Sequence, residues 1–133
     1  MGAWSSGIFD NDEALDWLDE LCTSDGTDLL GEAFASATTD YLEAPEGCRI
    51  LCAGAALAVA LGHEVKDAPD LLKIWAAGLF DEDIRALLPD ARAALARVLA
   101  EGSELKELWQ EGDGADYPMW EAAVLSLQAD LKL

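Results

Sequence analysis

The sequence predicts an all-α fold: a single compact bundle of about six or seven helices around one buried central helix. Three observations carry this. Ala, Leu and Glu abound while β-branched residues are scarce, a composition that favours helix almost throughout. Apolar residues recur at spacings of three and four along most segments, the period of a helix with one face on a core. Residues 48–61 are apolar on nearly every side, with Arg49 their lone charge, which is the pattern of a helix enclosed by others. A chain of 133 residues, 52% hydrophobic, suits one domain spanning residues 1–133.

The elements follow in order. Asp10 and Glu13 have capping-box spacing and open a first helix. Its inner face is expected to carry Ala14, Leu15, Leu18, Leu21 and Cys22, with Trp17 at the edge. Asp12, Asp16, Asp19 and Glu20 fall on the opposite side, and Gly26 marks the exit. A second helix over residues 28–41 carries Leu30, Phe34, Ala37 and Tyr41 as one stripe. Pro45 suits the first turn of the central helix and Gly62 its end. Small residues there, Ala53, Gly54, Ala56 and Ala60, let neighbours approach closely.

Asp67 and Pro69 open a shorter helix with Leu72, Trp75 and Ala76, ended by Gly78. Residues 81–88 read either as a short turn of helix or as a capped connector. Pro89 then starts a helix with Leu95, Val98 and Leu99 inside, stopped at Gly102. Ser103 caps a brief helix over residues 104–111 holding Leu105, Leu108 and Trp109. Residues 112–116 form an acidic loop, and Pro118 begins a last helix in which Trp120, Val124, Leu127 and Leu131 form a docked stripe.

Charge narrows the function classes. There are 27 acidic and 8 basic residues, a net charge of −19. Direct binding to nucleic acid or to an anionic membrane needs a basic face, so both are disfavoured. No secretory signal is visible, and the longest apolar run is well short of the ~20 residues that span a bilayer. Cys22, Cys48 and Cys52 are an odd, sparse set rather than a disulfide framework, which fits a reducing cytoplasm. The charge is also uneven. Residues 1–48 hold twelve acids and no base, and Arg49 is the first cation.

The opening Met1-Gly2-Ala3-Trp4, Gly7-Ile8-Phe9-Asp10-Asn11-Asp12, Ala14 and Asp16-Trp17 is distinctive, as is the late run Ser103-Glu104-Leu105-Lys106-Glu107-Leu108-Trp109 before a Trp-containing terminal helix. Together these resemble the bacterial domain-of-unknown-function 4259 family, over essentially the whole chain. The resemblance implies a small acidic helical protein of the bacterial cytoplasm and brings no activity with it.

The candidate interaction surface is Trp4, Asp10, Asn11, Asp12, Asp16, Asp19 and Glu20. The opening motif also has a purely structural explanation: Trp4, Ile8 and Phe9 plug the end of the bundle while Asp10 or Asn11 caps the first helix. The acidic bias likewise fits either a solvated surface or a face that docks a basic protein partner in an immunity-like role. No metal, cofactor or catalytic constellation stands out. Asp10 to Glu13 and Asp81 to Asp83 lack calcium-loop spacing. Cys48, Cys52 and His63 fall short of the four ligands of a closed zinc site, so buried inert thiols are expected. His63, after Gly62, suits a helix C-terminus better than a general base. The alternatives to a binding module are a carboxylate-dependent hydrolase, using a pair such as Asp12 and Asp16, and a homodimer with an apolar interface in place of a monomer.

Overall fold

Pro45 sits in the first turn of a helix over Ala44–Ala60, where its missing N–H costs nothing. Glu43 and Glu46 form a reciprocal capping box there, with the Glu43 backbone N–H donating to Glu46 Oε1 at 3.2 Å. At the other end Gly62 takes φ +94°. Its N–H donates to the Val59 carbonyl and that of His63 to the Ala58 carbonyl, both at 3.0 Å, which closes a left-handed cap. Between these ends Gly47, Cys48 and every residue from 50 to 58 is buried.

The computed structural model describes residues 12–24, 27–38, 40–65, 68–111 and 117–131. Among them are seven α-helices: α1 (Asp12–Cys22), α2 (Asp28–Ala35), α3 (Ala44–Ala60), α4 (Asp70–Ala77), α5 (Asp81–Val98), α6 (Glu104–Glu111) and α7 (Tyr117–Asp130). All six others touch α3. The all-α bundle around an enclosed central helix is therefore the observed architecture. At Gly54 of α3 two neighbours come close: a Cβ there would stand 3.3 Å from a methyl of Leu127 on α7 and from both methyls of Leu95 on α5. The expected α7 stripe of Trp120, Val124, Leu127 and Leu131 is buried throughout. Trp120 also stacks on Trp109 of α6, centroids 5.8 Å apart. Ser103 is buried and caps α6, its Oγ accepting from the Lys106 N–H at 3.4 Å.

Four expectations need correction. Leu15 is 47% exposed and Trp17 buried, so the inner face of α1 is Ala14, Trp17, Leu18 and Leu21. Ala14, Trp17, Leu18 and Leu21 keep the i, i+3, i+4, i+7 spacing of one face, and Leu15, two residues before Trp17, falls outside it. Pro89 does not start a helix. It lies inside α5, and its exposed position leaves the Arg85 carbonyl, which it cannot satisfy, on the solvent side. The stripe of Ile84, Leu88, Ala91, Leu95 and Val98 runs through it and holds the two halves together. Leu108 of α6 faces outward at 41% exposure.

Tyr41, finally, is outside α2 and exposed. A 3-10 turn over Ser36–Thr38 follows α2, and the chain then pairs with the α5–α6 connection. The Leu42 N–H donates to the Gly102 carbonyl, and the Glu104 N–H to the Leu42 carbonyl, both at 2.8 Å. Arg97 clamps this junction by donating to the carbonyls of Asp40, Glu101 and Gly102. Gly102 takes φ +81°, and a Cβ there would press on the Asp40 carbonyl oxygen at 3.2 Å. Gly26, Asp67 and residues 112–116, expected as a helix exit, a helix start and an acidic loop, lie outside the described residues.

Candidate interaction groove

The inner face of α1 repeats at Ala14, Trp17, Leu18 and Leu21, so the same period sets Glu13, Asp16 and Glu20 in a row beside it. Across from that row α2 buries Leu30, Ala33 and Phe34 and turns Glu32 outward. A groove of about 370 Å³ results. Its floor is Trp17, Leu29 and Ala33, and its walls carry Glu13, Asp16 and Glu20 from α1 and Glu32 from α2. Among the described residues Arg49 of α3 is the one cation that lines it. Arg49 Nε donates to Glu13 Oε2 at 3.1 Å, and both side chains are more than a third exposed, so the pair contributes at most about 1 kcal/mol. Among the described residues no cation pairs with Asp16, Glu20 or Glu32. A groove with an apolar floor and acidic walls suits a guanidinium or ammonium side chain, which can pair with the carboxylates while its stem lies on apolar surface.

Of the sequence-derived surface, the structure brings Asp16 and Glu20 together in this groove. Asp19 is exposed but points elsewhere, beside Cys22, whose thiol burial and the Asp19 charge push up. Trp4, Asp10 and Asn11 lie outside the described residues, as does the side chain of Asp12. Glu13, Glu32 and Arg49 were missed as a set, because only tertiary packing places α2 and α3 beside α1. The capping partner expected for Glu13 is Asp10, outside the described residues.

The other titratable groups have structural roles. Cys48 and Cys52 are buried in α3, and burial pushes the Cys52 thiol far up, out of nucleophilic range. Among the described residues no cluster of three or more His, Cys, Asp or Glu could hold a metal ion. His63 Nδ1 stands 3.8 Å from Asp130 Oδ1 at the end of α7. It borders a second, wider hollow of about 850 Å³ between α3 and α4, walled by Val59, Ala60, Val65 and Ala77. No helix among the described residues is long and apolar enough to cross a membrane.

No curated protein and no solved structure matches the chain. A family model described as "Domain of unknown function (DUF4259)" matches residues 2–123, and the chain belongs to that family.

Proposed function

We propose that this chain is a protein-binding module of the bacterial cytoplasm that presents an acidic face to a basic partner, immunity-like in character. The observation that carries the proposal is the groove: a stretch of sequence with twelve acids and no base folds so that four of its carboxylates line one groove, with Arg49 the one cation there among the described residues. Such a field speeds encounter with a cationic protein and selects against acidic ones. A carboxylate-dependent hydrolase would work in the same place. The acids there face solvent, and Glu13, the least exposed of them, is tied to Arg49, which suits binding better than proton transfer.

The test is affinity capture at low salt with the wild type and with an Asp16→Asn, Glu20→Gln, Glu32→Gln variant. The proposal expects a basic protein on the wild type, released as ionic strength rises, and largely lost from the variant. A neutral partner, or capture that neither salt nor the variant changes, contradicts it.

A further inference from the structure

The outer face of α4 is more apolar than a solvated helix requires. Its inner side is already satisfied: Leu72 and Ala76 are buried, and Trp75 Nε1 donates to the Ser24 carbonyl at 3.1 Å. Yet Leu71 is 53% exposed and Ile74 71%, and Phe80, just beyond the helix, 75%. Ile74 and Phe80 are the two most exposed large apolar side chains among the described residues. Leu71 and Ile74 stand three apart on one side of α4, and Phe80 follows three residues past its end, in extended backbone at the start of α5. Scattered apolar residues need no explanation, but three large ones exposed within ten residues suit a contact site, and Ala77, three residues on from Ile74 along α4, lines a hollow. The hollow of about 850 Å³ shares Lys73 and Ala77 with α4 and offers Val59, Ala60 and Val65 as apolar walls for an anchoring side chain.

The charge around the stripe selects the occupant. Asp70 at one end stands 4.0 Å from Lys73 Nζ, which leaves the exposed Asp81, Glu82 and Asp83 at the other end against Arg85. A second copy would set these acids against their own kind, whereas a cationic partner would be attracted. We propose that Leu71, Ile74 and Phe80 form the apolar seat for a basic amphipathic helix of a partner protein, with an anchor residue in the adjoining hollow. This rests on the preceding proposal for the sign of the partner's charge and adds where the partner is held: the acidic groove steers, the α4 stripe retains.

The probe is a fluorescent peptide of about 16 residues, Leu and Lys in helical alternation, beside a scrambled peptide of the same composition. Binding is followed by anisotropy with the full chain and with an Ile74→Gln, Phe80→Gln variant, which keeps the charge and changes only exposed positions. An unchanged melting curve confirms that the variant folds. The proposal expects the variant and the scrambled peptide each to lose about tenfold in affinity, with the salt dependence kept. Equal affinity for variant and wild type, or for the two peptides, overturns the seat, and if that binding is still weakened by salt the acidic-face proposal survives alone. Salt-insensitive binding, or none, overturns both. A wild-type dimer by light scattering that the variant dissolves overturns the seat too, by making a second copy its occupant.

Discussion

Replacing Gly54 by Val probes how tightly α3 is enclosed. A Cβ alone would stand 3.3 Å from three methyl groups, of Leu127 and Leu95, inside the ~3.5–4.0 Å at which carbon atoms pack best. Val adds two further methyls in the same space, between α5 and α7, which must move apart or twist their leucines off their rotamers. Overpacking of this kind costs about 1–3 kcal/mol, and the better helix propensity of Val returns only a few tenths (~0.3 kcal/mol). The entropy of unfolding of a chain this size is ~0.28 kcal/mol/K at the midpoint, so the melting temperature should fall by about 3–10 °C. Gly31→Ala is the control. Its nearest neighbour is a Leu87 methyl at 4.0 Å, so the new methyl fits. The entropy removed from the unfolded chain should raise the melting temperature by about 2–4 °C. Circular dichroism melts at 222 nm read both. A Gly54→Val variant as stable as the wild type would refute the close packing of α5 and α7 on α3.

The remaining predictions concern α5, Tyr41 and the thiols. Pro89→Ala should restore the bond to the Arg85 carbonyl and stabilise the protein by about 2 kcal/mol, once the looser unfolded chain is discounted. A melting temperature unchanged or lowered would mean that α5 needs its proline. Partial desolvation, the hydrogen bond from Tyr41 Oη to Glu107 Oε1 at 3.0 Å, and the charges of Glu107, Glu104 and Glu111 push the Tyr41 phenol up to about 12. Its contribution to stability is therefore intact below pH ~10 and lost as pH rises toward 12. Ultraviolet titration at alkaline pH should find a late-ionising tyrosine that Glu107→Gln makes ionise earlier. A thiol reagent on the native protein should modify Cys22 slowly and reach Cys48 and Cys52 only on unfolding, because both are buried in α3. Prompt reaction of all three would contradict their burial.

The parts of the fold legible in the sequence are those that local chemistry decides. Pro45, Gly62 and the all-round apolar stretch between them define α3 without reference to anything distant. The four-residue rhythm of Trp120, Val124, Leu127 and Leu131 defines α7. Where a remote contact decides, the sequence is silent. Periodicity extends the second helix to Tyr41, but the chain leaves helix early because Leu42 is captured by Gly102 and Glu104, some sixty residues away. Proline is a helix breaker on average, yet Pro89 sits where the orphaned carbonyl faces water, and a buried stripe on either side carries the helix through. The groove divides in the same way. Asp16 and Glu20 could be grouped because one helix aligns them. Glu32 and Arg49 could not, since their place opposite α1 exists only once α2 and α3 have packed.

The claim on which both the groove and the α4 seat stand is that α3 is enclosed by the other six helices. Native-state hydrogen exchange tests it most directly. The amides of residues 50–58 should exchange slowest in the molecule, through global unfolding alone, while those of α4 and α6 open earlier. Exchange along residues 50–58 as fast as in α4 would contradict the account.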